Sequence, residues 1–202
     1  MEAVDLRLVQ TDEPDIKLDR RLSEAVEVLA AAVEMKDAGT GGHIYRTAIL
    51  ASACLEQVDP HLAAHGEINY AFLLHDIGKI GVPDSILNKP GPLDADEWNI
   101  MRRHPEMGAK LIVPLGFDDI VTDVILHHHE RWDGSGYPFG LHGEDIPLPA
   151  RVLAVADAYD AMTCERPYST PVEMDDALTI IELSSDKHFD PEVVDVFLKI
   201  VI

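Results

Sequence analysis

"DDIVTDVILHHHERWDGSGYP", residues 118–138, decides how the rest of the chain is read. Ile120, Val121, Val124 and Ile125 recur at three- and four-residue steps, so its first half is an amphipathic helix. That helix runs into three adjacent histidines and an acid. It is stopped by Asp-Gly-Ser-Gly-Tyr-Pro, where glycine permits unusual backbone angles. Packing a core asks for none of these imidazoles. His128 continues the apolar face four residues after Val124, whereas His129 (four after Ile125) and His127 (three after Val124) are nearly tied.

The same periodicity recurs on both sides. Leu18, Leu22, Val26, Leu29 and Val33 predict an amphipathic helix that "KDAGTGG" breaks, and a second helix runs from about His43 to Val58. "GEINYAFLLHDIGKIG" reads as a buried helix ending near Gly78, followed by a loop, "GVPDSILNKPGPL", with three prolines and two glycines. Asp94 with Glu97 three residues on predicts a capping box, and Pro105 predicts a bend at His104. "PARVLAVADAYDAM" and stretches at about 173–183 and 191–201 supply the last helices. There is no alternating strand pattern. The expected fold class is all-α: a polar lead-in over 1–16, then a single compact helical domain over 17–202 with an extra C-terminal helical part. The apolar stripe of the first helix is read as packing on its own core, with a homodimer contact as the alternative.

The 37 acids and 16 bases leave a formal charge of −21, which argues against a nucleic-acid polymer or an anionic membrane as partner. A small anionic ligand stays compatible where a site supplies local positive charge. Cys54 and Cys164 have no CxxC spacing, the N-terminus has no apolar signal region, and no apolar run is long enough to span a bilayer. A soluble, cytoplasmic protein is expected.

The chain has ten histidines, and the informative ones have company. His75 precedes Asp76 at the end of an apolar helix, and Asp157 lies inside "VLAVADAYDA". A buried carboxylate is costly without a cation. His104 and the 127–129 cluster close two further helices. Two carboxylates and several imidazoles are donors for first-row metals such as iron, manganese or zinc. They are too many for one tetrahedral ion, so a pair of metals is the natural count. In the competing reading, Asp76 caps a loop and Asp157 makes an internal salt bridge. His61, His65, His142 and His188 stand apart and read as surface residues. "HERWD" lacks the second His of HExxH, "GK" at 78–79 lacks the earlier glycine of a phosphate loop, and Ser135 lacks G-x-S-x-G spacing.

"HDIGK" (75–79), "RRHPEMG" (102–108), "HHERWDGSGYP" (128–138) and "ADAYDA" (156–161), with "HIYRTA" (43–48), resemble the HD-GYP family of bacterial cyclic di-GMP phosphodiesterases, within the HD superfamily. The resemblance covers roughly residues 20–200 and implies a fold of the HD-domain type. It implies His43, His75, Asp76, His104, His128, His129 and Asp157 as ligands of two divalent metals, iron or manganese, with Asp76 bridging. It selects His129 over His127. Asp76 and Lys79 would be catalytic. Lys79 and Arg166 would contact substrate phosphate, and Gly134, Gly136, Tyr137 and Pro138 would form the named loop beside the site. The implied activity is hydrolysis of cyclic di-GMP to pGpG and on to GMP through a metal-bridging hydroxide. The alternatives are a low-turnover cyclic di-GMP module docking a diguanylate cyclase or sensory protein, and hydrolysis of another nucleotide such as cyclic GMP-AMP.

Two departures from the family pattern stand out. Gly39 occupies the position where some members have a third-metal Glu, which favours a dinuclear site, and Ser169 stands where members often carry a base. Around the ligands, Glu130 and Asp133 are candidates to hydrogen-bond a ligand histidine or to be solvated acids at a helix end. Arg46 is expected to contact a site carboxylate or reach the surface, and Asp160 to orient Lys79 or a ligand.

Overall fold

The computed structural model describes residues 14–37, 41–164 and 170–201. Residues 1–13, Gly39, Arg166 and Ser169 therefore lie outside the described residues. Among the described residues eleven helices follow in chain order: α1 (Pro14–Lys36), α2 (His43–Val58), α3 (Pro60–Ala63), α4 (Ile68–Leu74), α5 (Asp84–Leu87), α6 (Ala95–Met101), α7 (His104–Ile112), α8 (Asp119–His127), α9 (Leu148–Thr163), α10 (Met174–Leu183) and α11 (Pro191–Val201). Short 3-10 turns cover 77–81, 113–115 and 143–145. Among the described residues there is no strand, only an isolated bridge between Ser185 and Phe189. The all-α expectation is borne out.

Helix α2 lies at the centre, packed on α9, α4 and α11, while α8 bridges α4 and α7. Helix α4 is short and buries Ile68, Ala71, Phe72 and Leu74. Removing Phe72 from water contributes about 2 kcal/mol. Helix α1 buries Val26, Ala30 and Val33, so its apolar stripe packs on the chain's own core. The capping box forms: Asp94 accepts from the backbone N–H of Asp96 and Glu97, while Glu97 accepts from that of Asp94 at 2.9 Å. The predicted bend also forms, with α6 ending at Met101 and α7 starting at His104 with Pro105 in its first turn.

The helix expected to reach Gly78 stops at Leu74 instead. The His75 ring takes up the Phe72 carbonyl, and the chain tightens into the 3-10 turn at 77–81. That turn presses the Gly78 backbone against α7, where an added Cβ would meet the His104 carbonyl oxygen at 1.8 Å and the Gly108 nitrogen at 2.5 Å. Both obstacles are backbone, so neither can rotate away. Gly78→Ala is therefore expected to destabilise the fold by about 3 kcal/mol in urea unfolding. Gly66→Ala, whose Cβ meets nothing within 4 Å, should stay within about 0.5 kcal/mol. Equal midpoints for the two variants would refute the close approach.

Candidate metal centre

Three of the site's histidines sit where one helix ends, and the reason is local. The last carbonyls of a helix have no intrahelical donor. His75 Nδ1 bonds the Phe72 oxygen (2.8 Å), His104 Nδ1 the Met101 oxygen (2.8 Å) and His128 Nδ1 the Ile125 oxygen (2.7 Å). Each imidazole thus donates to the carbonyl three residues before it, at the ends of α4, α6 and α8. With its proton on Nδ1, each ring turns a bare Nε2 lone pair inward.

These lone pairs converge. Ligand atoms of Asp76, His104, His128 and His129 lie within 4.8 Å of one another, and so do those of His43, His75 and Asp157. Asp76 sits between the groups. Its Oδ1 is 3.3 Å from His104 Nε2 and its Oδ2 is 3.4 Å from His75 Nε2. His127 turns away and packs on the Phe139 ring at 5.6 Å.

A divalent metal fits this donor set. His104 and His128 bring Nε2 atoms to 3.3 Å of each other although neither carries a proton to share, and His75 Nε2 is buried with no hydrogen-bond partner. Two imidazoles bound at right angles to one ion, each about 2.1 Å from it, would be about 3 Å apart. Burial and the neighbouring imidazoles push His128 well below its ordinary pKa, and burial with His104 takes His129 down to about 3. Both rings are neutral and available as ligands. Burial alone would raise the two carboxyls, but Lys79 holds Asp76 well below the usual range, and His43 does the same for Asp157.

His43 is oriented differently, from the first turn of α2. Its Nδ1 meets Asp160 Oδ2 at 2.6 Å, and Asp160 is gripped by Arg46 through Nε at 2.6 Å. Burial would raise the Asp160 carboxyl, yet its bonds to His43 and Arg46 keep it at about 2. Asp160 orients His43, then, rather than Lys79. Lys79 Nζ lies between Asp76 Oδ2 (2.7 Å) and Asp37 Oδ2 (2.9 Å).

The hydrogen bond to a ligand imidazole expected of Glu130 and Asp133 is not made. Buried Glu130 accepts from the backbone N–H groups of Phe139 (2.7 Å), Gly140 (3.1 Å) and Leu141 (3.1 Å), and so pins the loop that follows Pro138. Asp133 accepts from Ser135 N–H (2.9 Å) and Oγ–H (2.6 Å) in a local turn. Gly136 is held tight in the same loop, since a Cβ there would meet Arg131 N at 2.4 Å. Tyr137 stacks on His129 with ring centres 4.9 Å apart. Beside these donors opens a pocket of about 260 Å³, lined by Arg102, His129, Gly136, Tyr137, Asp157 and His188 among others. Sequence reasoning assigned no role to Arg102 or His188, although Arg102 opens the quoted motif "RRHPEMG".

The HD domain family model matches residues 10–193. The chain belongs to the HD domain family. It is 42% identical over 185 residues to the cyclic di-GMP phosphodiesterase response regulator of Xanthomonas campestris, covering 91% of this chain and 49% of the relative. A cyclic di-GMP phosphodiesterase of Thermotoga maritima is 41% identical, with 89% of this chain and 49% of the relative covered. The chain thus spans about half the length of these curated relatives. Among solved structures, a cyclic GMP-AMP specific phosphodiesterase of Vibrio cholerae superposes with a TM-score of 0.66 at 21% identity, over 87% of this chain and 48% of that one, and shows the shared fold. The HD-GYP resemblance read from the motifs is borne out. No helix among the described residues is long and apolar enough to cross a membrane.

One consequence for this HD domain concerns pH. Burial lowers the His43 pKa, but hydrogen bonds to Asp157 and Asp160 outweigh it and raise the group from 6.5 to about 9 in the metal-free protein. The stabilisation from that imidazolium is full below pH 6.5 and is lost as pH rises through about 9. A metal bound at His43 must displace its proton. Metal affinity there is expected to rise about tenfold per pH unit from neutrality to about pH 9, measured by chelator competition. An affinity flat over that range would contradict it.

Proposed function

We propose that this HD domain is a dinuclear, metal-dependent phosphodiesterase that hydrolyses cyclic di-GMP to pGpG and onward to GMP. The observation that carries the reading is the Asp76 carboxylate, whose two oxygens face His104 and His75, members of two separate donor groups. A carboxylate so placed suits a bridge between two ions. His43, His75 and Asp157 would complete one ion's ligands, and His104, His128 and His129 the other's. Imidazole and carboxylate donors accept iron and manganese, the metals the HD-GYP resemblance implies. Two divalent ions supply neutralising charge to a phosphoryl group and lower the pKa of water at neutral pH.

The chain's own residues do the rest. Asp76 and Asp157 stay ionised, so two +2 ions and these carboxylates leave a local charge of +2 within a protein of −21. Lys79, fixed between Asp37 and Asp76, is within reach of a phosphoryl oxygen brought to Asp76. Tyr137 and Gly136 wall the pocket and keep His129 in place by stacking and close backbone packing. Relatives named as cyclic di-GMP phosphodiesterases at about 40% identity support the substrate class. The loop's exposed Phe139 is the apolar group it offers to a protein partner such as a diguanylate cyclase.

The test is turnover by anaerobically purified protein reconstituted separately with Fe(II) and Mn(II), offered cyclic di-GMP and cyclic GMP-AMP in parallel. Linear product from cyclic di-GMP that needs metal and disappears in Asp76→Ala is the expected result. Bound metal with no product from cyclic di-GMP would overturn the reading.

A further inference from the structure

The pocket beside the metal donors has two walls of unequal charge. Among the described residues, which leave out Arg166, its lining holds two arginines, Arg102 and Arg131, and no lysine. Arg131 has a carboxylate near it, Asp133, at 3.7 Å. His188, also in the lining, is pushed below its ordinary pKa by burial and by Arg131, and so adds no charge at neutrality. Arg102 differs: its backbone N–H bonds the Trp98 carbonyl, but its guanidinium makes no hydrogen bond or ion pair to a described residue. Its guanidinium carbon lies 5.4 Å from the Tyr137 ring centre and 5.7 Å from that of Trp98. Tyr137 in turn stacks on His129. The His129–Tyr137 stack therefore continues, through cation–π contacts of Arg102 with Tyr137 and Trp98, from a candidate metal donor towards the surface.

Aromatic rings against a guanidinium attract its cation and fix its direction, while its N–H groups remain to be paired at the edge. Those edge donors match the two oxygens of a phosphodiester. A cyclic dinucleotide carries two phosphates in one closed ring. When one is engaged by the metal donors, a cation beside the same pocket can hold the other; Lys79 is already shared by Asp76 and Asp37. We propose that Arg102 holds the second, non-scissile phosphate of the cyclic dinucleotide, pre-aligned by Tyr137 and Trp98. This assignment rests on the function proposed above and makes Arg102 a determinant of preference for cyclic dinucleotides over simple diesters. It is a substrate-positioning role, not one at the reacting atoms.

The experiment compares metal-loaded wild type, Arg102→Ala and Arg102→Lys on cyclic di-GMP and on bis(p-nitrophenyl) phosphate, which has a single phosphate. Calorimetric Kd values for a phosphorothioate analogue of cyclic di-GMP accompany the kinetics. Arg102→Ala should lose at least tenfold more kcat/KM on cyclic di-GMP than on the simple diester, with the excess in KM and a matching rise in Kd. Arg102→Lys should recover part of it, because an ammonium keeps the charge but not the fork. Equal losses on both substrates, a loss confined to kcat, or an unchanged Kd would overturn the assignment. If wild type binds the analogue but hydrolyses only the simple diester, the cyclic di-GMP hydrolase reading fails, and Arg102 is judged on Kd alone. Wild type that binds no analogue overturns both.

Discussion

Five imidazoles and two ionised carboxylates meet in one buried place, and the rest of the molecule is arranged to hold them there. Without a cation, this centre juxtaposes the bare nitrogens of His104 and His128 and strands the inner nitrogen of His75. Leaving such polar atoms buried and unpaired costs about 1–3 kcal/mol each. The fold accepts that cost because the same bonds that aim the rings also finish the helices. At α4, α6 and α8 one imidazole proton satisfies a carbonyl that the helix leaves open, and the opposite nitrogen is thereby committed to the interior. Capping a helix and aiming a donor nitrogen inward are a single device, used three times.

His43 departs from that device for a geometric reason. It begins α2, where a helix presents N–H groups rather than open carbonyls, so no helix-end carbonyl takes its Nδ1 proton; the one local oxygen recorded near it is Thr47 Oγ1, at 3.2 Å. Asp160 supplies the acceptor from α9, and Arg46 anchors Asp160 in turn. The packing of α2 on α9 thus does for His43 what a helix end does for the others. In the metal-free protein, the proton on His43 stands in for a cation between two carboxylates. Metal and proton compete for one position.

Much of this was legible in the sequence because it is local. Helix α2, the capping box at Asp94, the bend at Pro105 and the two C-terminal helices follow from spacing and turn residues. Burial of α1's stripe follows from the same periodicity. Periodicity alone could not separate His127 from His129, since the last turn of α8 places both near the apolar face; the motif resemblance pointed to His129, which stands in the donor cluster. Other features depend on residues far apart in the chain. Glu130 looked like a partner for its histidine neighbours, yet the N–H groups it accepts from belong to residues nine to eleven positions on, beyond the turn. The pairing of Lys79 with Asp37 spans 42 positions, and Arg102 gains its setting only when the loop carries Tyr137 to it. Helix α4 was read as too long because an apolar run does not show where a tight turn must bring glycine against another backbone.

The central claim is that one carboxylate, Asp76, joins two donor groups into a single two-ion centre. It is tested most directly by counting metal in protein prepared and dialysed anaerobically, using inductively coupled plasma mass spectrometry against protein concentration from amino-acid analysis. Two divalent ions per chain is the predicted result. Saturation at one ion per chain, or at none, would contradict it.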